Sequence, residues 1–208
     1  MGDTVTLSEY LRAGTADVHR GAERSAFVSR FMNGGLDRDT YSRHLRALHG
    51  VYGALEAALE SFEDDPRLKA FHLPALWRRS ALEADLDYLR GPQWKLELPV
   101  PAARIYAEHL HALTTKRPLC LVSHAYVRYM GDLSGGQTLK RIAARQLGIS
   151  GDGLRFYEFP GIGDLAAFKA DFRRRLDRLA LVDGERQALL DEARNAFHPN
   201  AMIFGELA

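Results

Sequence analysis

The sequence predicts an all-α fold, and three observations carry that prediction. Leucine (30) and alanine (28) dominate while isoleucine (5) and valine (8) are scarce, so good helix formers outnumber β-branched residues. No segment alternates apolar and polar residues at period two. Neither an internal repeat nor a low-complexity linker interrupts the chain. With 208 residues and 46% hydrophobic content, the expectation is a single domain over 1–208. It should hold about seven helices around one core.

The first helix is expected from near Leu7, because Thr6 and Glu9 have capping-box spacing. Leu7, Leu11, Gly14, Val18 and Ala22 follow a 3.6-residue period, and Asn33-Gly34-Gly35 is a strong stop. A second helix over about 38–61 follows Asp37 as cap and ends before Glu63-Asp64-Asp65-Pro66. The region 66–90 should be helical but broken near His72-Leu73-Pro74, and Gly91-Pro92 closes it. Residues 92–100 carry turn and extended signals. A fourth helix, about 101–115, has Pro101 near its start. A fifth opens after Pro118 and continues to Leu147, followed by a loop rich in glycine and aromatics over 148–163. Helices of about 164–180 and 184–204 complete the chain.

Composition excludes several functions. The 28 basic and 27 acidic residues leave a net charge of +1, without the basic footprint of a general nucleic-acid binder. The single cysteine, Cys120, permits no intrachain disulfide and no CxxCH haem attachment; it reads as a small buried hydrophobe in a protein of the reducing cytoplasm. The N-terminal stretch lacks an apolar h-region, no run is long enough to span a membrane, and NAMIFGELA is too short for a tail anchor. Met1-Gly2 to Thr6 fits the myristoylation pattern formally, but an unmodified leader is expected.

The segment from Tyr126 to Lys140 is the oddest: helical flanks enclose Gly131, Gly135 and Gly136. Each glycine inside a helix costs about 1 kcal/mol relative to alanine. Such a cluster marks a loop between helices, or a kinked helix whose backbone lies flat on a bulky ligand, here with Asp132 beside it. The string Leu133 to Gln137 (LSGGQ) also matches a transporter-ATPase signature. No Walker A loop accompanies it, so that reading fails.

Among eight histidines, His19 is the candidate ligand. Glu23, at i+4, could accept from its Nδ1–H and leave Nε2 for a metal. On one continuous helix, Arg12 and His19 would share a face about 10.5 Å apart. Glu108 and His111 form an ExxH pair of the di-iron kind, but no second ExxH exists, so an exposed amphipathic face is expected. The other six histidines, His44 among them, have no spacing that compels a role.

Ser123 to Gln137 (SHAYVRYMGDLSGGQ) closely resembles the signature of the haem oxygenases, and Thr15 to Glu23 (TADVHRGAE) resembles their proximal-histidine segment. Leu48 to Glu56, Phe156 to Pro160, Phe168 to Arg173, and Ala196 to Leu207 also fit, so the resemblance runs along nearly the whole chain. It implies an all-α fold with haem b, both substrate and cofactor, sandwiched between a proximal and a glycine-rich distal helix. His19 would be the axial ligand and Glu23 would orient it. Gly131, Gly135 and Gly136 would face the haem, and Asp132 would hold water that relays a proton. Tyr126 and Arg128 match a polar distal network; Arg12, Lys169 and Arg173 match basic residues near the propionates; Tyr52, Phe197 and Phe204 match positions that wall or support the pocket. The implied products are biliverdin IXα, carbon monoxide and ferrous iron, with dioxygen as co-substrate and electrons from a ferredoxin or flavoprotein. Pro199 interrupts the last helix pattern, and Met130 stands where leucine is common. A soluble, cytoplasmic, bacterial-type monomer is implied, without nucleic-acid or membrane partners. A non-catalytic haem carrier on the same scaffold is the rival reading, and a di-iron oxidase built on Glu108 and His111 is a third.

Overall fold

The computed structural model describes residues 5–208. The formal myristoylation site at Gly2 lies outside the described residues. Ten α-helices occur among the described residues: α1 (Leu7–Gly14), α2 (Ala16–Glu23), α3 (Ala26–Asn33), α4 (Arg38–Glu60), α5 (Arg79–Arg90), α6 (Pro101–Lys116), α7 (Leu121–Leu147), α8 (Leu165–Asp177), α9 (Glu185–Asn195) and α10 (Phe197–Leu207). Five short 3₁₀ turns join them, and no strand occurs among the described residues.

The count exceeds seven because the first and last expected helices are each divided. Residues 7–33 form three helices. Thr15 ends α1 with its hydroxyl bonded back to the Leu11 carbonyl at 2.8 Å, and Ser25 opens α3 by accepting from the Val28 amide. Residues 185–207 form two helices that meet at Ala196. Pro199 sits in the first turn of α10, where its missing amide hydrogen is harmless. Had the helix run on, its ring would have met the Asn195 carbonyl. Locally encoded ends are as expected. Thr6 and Glu9 form a reciprocal capping box, Asp37 accepts from the Thr40 amide at 2.7 Å, and Gly34 ends α3 at φ 97°.

Helix α4 is the central strut, packed against α5, α6, α7 and α10. Tyr41, Leu45, Val51, Tyr52 and Leu55 along it are fully buried. The loop after α7 is held by two buried charges. Asp85 on α5 accepts from the amides of Arg155 (2.9 Å) and Phe156 (2.8 Å). Arg78 donates to the carbonyls of Leu76, Phe156 and Glu158 and lies 3.9 Å over the Phe159 ring. These contacts set Phe156 and Tyr157 beside α7.

Candidate active site

Helices α2 and α7 form opposite walls of an open cleft of about 610 Å³ that adjoins an equally open inner chamber of about 560 Å³ on the α4 side. Both spaces are lined by His19 and Glu23 of α2, Gly131 and Gly135 of α7, and Phe197 of α10. The His19 side chain is 55% exposed. Phe197 meets its ring edge-on at 6.0 Å. Nδ1 lies 3.6 Å from Glu23 Oε1, an ion-pair separation rather than the hydrogen bond expected from the i,i+4 spacing. Among the described residues, the His19 ring makes no hydrogen bond; only its backbone amide does, to the Thr15 carbonyl, so Nε2 is available to a metal.

The wall facing His19 is unbroken helix through all three glycines. Gly131 and Gly135, four residues apart, lie on one face, and a Cβ at either would meet nothing within 4 Å: it would project into the cleft. Those missing side chains keep the slot open. Gly136 is buried and lines the inner chamber beside Tyr157, where a Cβ would sit 3.6 Å from the Tyr157 ring. The helix turns about 100° per residue, so position 136 faces the inner chamber and the 148–163 loop rather than the outer cleft.

Asp132 anchors a polar chain at the inner end. Tyr52 donates its hydroxyl hydrogen to Asp132 Oδ2. Arg128 donates from Nε to the Tyr52 hydroxyl (3.2 Å), stacks over the Tyr52 ring, and donates from Nη1 to Asn200 Oδ1 at 2.5 Å. Tyr52 is fully buried behind α7, so it supports Asp132 rather than walling the cleft. Burial raises the Asp132 carboxyl above its ordinary range, against the pull of Arg128 and the Tyr52 hydrogen bond. Its second oxygen, Oδ1, has no protein hydrogen-bond partner among the described residues and is left for water.

The outer cleft has a basic rim. Arg12 of α1 and Arg173 of α8 line it with Arg20 of α2, and Tyr126 stands half-buried between them. Arg12 and His19 reach the same cleft from two helices rather than one. Lys169 stands one residue back, its ammonium 3.5 Å from the hydroxyl of Ser134, which lines the cleft. Cations at one mouth suit a ligand with carboxylates there. Phe204 lines the inner chamber and stacks on Phe27 at 5.1 Å. The geometry therefore fits haem: one free imidazole, a facing wall without side chains, and guanidinium groups at the edge.

Several lining residues stand outside those the sequence singles out. His44 and Asn200 reach the inner chamber through packing between distant helices, whereas Thr138 and Leu139 lie on α7 itself, just past the glycines. Glu108 and His111 are exposed and take part in no convergent ligand set among the described residues. Instead, neighbouring His109 joins His124 and Glu192. Glu192 is buried, and its carboxylate accepts from His109 (2.6 Å), His124 (3.0 Å), Asn195 (3.2 Å) and Arg117 (2.6 Å), tying α6, α7 and α9. Burial opposes its charge, yet the hydrogen bonds from His124, His109 and Asn195 hold its carboxyl down to about 2. A depressed carboxyl contributes stability above its unfolded value of 4.5, and that stability is lost as pH falls toward about 2. The contribution is on the order of 3 kcal/mol. Denaturant titrations through that acid range are expected to show this loss in the native chain and its flattening in Glu192→Gln.

Comparison with known proteins adds the following. Residues 5–206 match the family model described as Heme oxygenase. The chain is 40% identical over 205 residues to heme oxygenase 1 of Pongo abelii, covering 97% of this chain and 71% of that protein. It is 37% identical over 205 residues to heme oxygenase 1 of Synechocystis, covering 98% and 85%. Among solved structures, Synechocystis heme oxygenase-1 in complex with heme superposes with a TM-score of 0.94 at 36% identity, covering 98% of this chain and 92% of that one. The heme oxygenase of Leptospira interrogans superposes at 0.92 with 41% identity, covering 97% and 99%.

Proposed function

The chain belongs to the haem oxygenase family, which degrades haem to biliverdin, carbon monoxide and iron, and from that premise we propose how its own residues divide the work. The observation that carries the assignment is the facing pair: His19 with Nε2 free on α2, and the open Gly131–Gly135 face of α7 across the cleft. Bound haem supplies the iron at which dioxygen is activated and the ring that is cleaved.

His19 Nε2 would ligate the haem iron, and Glu23, 3.6 Å from Nδ1, would orient the ring. Arg12, Arg173 and Lys169 hold the propionates and so fix the rotation of the ring in the slot. Gly131 and Gly135 leave the α7 face of the cleft without side chains, so helix backbone would lie against the ring of a bound haem. With the propionates held at the rim, this would favour one orientation of the ring, in keeping with the IXα isomer. Gly136 packs on Tyr157 and keeps its part of the inner chamber's wall free of a side chain. Asp132 holds water at Oδ1 and passes a proton through it into the distal space, while Tyr52 and Arg128 fix its Oδ2. Phe197 and Phe204 line the inner side with apolar rings. Tyr126 completes the rim between Arg12 and Arg173.

Residues 1–208 act as one domain. We assign dioxygen as co-substrate, a ferredoxin or flavoprotein as electron donor, a monomeric state and a cytoplasmic location. No helix among the described residues is long and apolar enough to cross a membrane. The test is a visible spectrum over time after one equivalent of haemin and a reductant are added in air with catalase. Decay of the Soret band with growth of a broad red biliverdin band is expected; a persistent Soret band would make the protein a carrier. Filling the slot tests the glycine face separately. Gly135→Leu places a side chain in the open cleft and is expected to weaken haemin binding by at least about tenfold, about 1.4 kcal/mol, in a Soret titration.

A further inference from the structure

We propose that His44 is a positioning residue of the inner chamber, holding an ordered water through its imidazole N–H on the wall shared with Arg128 and Asn200. The inference rests on the haem-cleavage reading above but concerns a residue outside the signature segments. His44 projects from α4 and is 9% exposed. It lines the chamber whose polar wall is Arg128, Asp132, Thr138 and Asn200. Its ring lies 4.9 Å from Phe27 and 6.0 Å from Phe204, which fixes its plane without satisfying its nitrogens. Nδ1 is sealed from solvent with no hydrogen-bond partner, and no hydrogen bond joins either nitrogen to a described residue.

Burial, then the charge of Arg128, pushes the imidazole down to about 3, so the ring is neutral and carries one N–H. A buried donor without an acceptor is costly, and a leucine at this position would carry no such cost. Nε2 is the nitrogen that the chamber can reach, because Nδ1 is sealed. It therefore carries the proton and donates it into the chamber. A water needs two to four polar partners, and the chamber supplies them beside His44 in Arg128, Asn200 and Asp132. Asp132 is the proton-relaying group, so a water fixed by His44 extends the hydrogen-bonded chain that supplies it.

The test compares native protein, His44→Leu and His44→Gln, each loaded with haemin. A crystal structure of the native complex is expected to show a water within hydrogen-bond distance of His44 Nε2, and the His44→Leu complex is expected to lack it. His44→Leu should lower kcat for biliverdin formation about fivefold with haemin affinity unchanged, the scale of losing one bridging water. His44→Gln, which keeps a donor, should recover most of that loss. Absence of the water in the native complex overturns the proposal, as does a native-like kcat in His44→Leu. If His44→Leu does not fold, the native crystal structure and His44→Gln decide: no water beside either side chain overturns it. Should the native protein fail to cleave haem, the functional reading falls, and the crystallographic water still decides whether His44 holds one.

Discussion

Asp132→Ala is expected to bind haemin as the native chain does and to lose about 10²- to 10⁴-fold in biliverdin formation, the range over which a positioned proton donor acts. Two features of the site set this expectation. Asp132 reaches no group that would hold the propionates, so its removal leaves the Arg12 and Arg173 rim untouched. Its loss also frees the Tyr52 hydroxyl, which had donated to Oδ2, and leaves the Arg128 charge facing the chamber without a carboxylate. Water there would then be ordered by a cation instead of an acid, and reductant would be consumed without ring opening. Asp132→Asn is the sharper variant, because it keeps the shape and can still accept from Tyr52 but cannot relay a proton. Single-turnover spectra of the three proteins separate proton delivery from packing. Native-like biliverdin yield in Asp132→Asn would show that Asp132 serves only to fix Tyr52.

His19→Ala is expected to weaken haemin binding by at least about tenfold, about 1.4 kcal/mol, and to abolish turnover. The side chain is mostly exposed, and its contact with Phe197 is an edge at 6.0 Å, so little folding stability rests on it. A thermal melt of the apoprotein should therefore be almost unchanged while the Soret titration shifts. Exogenous imidazole fits the space vacated and should restore much of the native spectrum. A melt that falls with the affinity would mean that His19 is a packing residue.

Local chemistry made most of the fold legible. Thr6 with Glu9, Asp37 with Thr40, and Gly34 each mark a helix end through contacts within three or four residues, and such contacts are written in the order of the chain. The division of the first helix was not legible, because residues 7 to 22 carry one continuous apolar period across the break at Thr15. Periodicity reports a face and is blind to a change of axis. The last helix differs: Pro199 signalled an interruption, and the break falls at Ala196, where a proline's steric clash places it.

The site divides along the same line. His19, Asp132, Gly131 and Gly135 lie in two short motifs and line the space between them. Tyr52 reads as an apolar ring in the core of α4, and only the fold brings its hydroxyl to a carboxylate 80 residues away. Gly136 belongs to the motif and lines the inner chamber against Tyr157, since one residue of helix turns it from the outer cleft toward that loop. His44, one of eight histidines with no distinctive neighbours, becomes notable only when its nitrogens are seen buried and unpaired.

The central claim is that haem lies between His19 and the Gly131–Gly135 face, and resonance Raman spectroscopy of the ferrous haem complex tests it most directly. An iron–histidine stretching band in the native complex that disappears in His19→Ala is the predicted result. The same band, unchanged in His19→Ala, would place the axial ligand elsewhere and contradict the account.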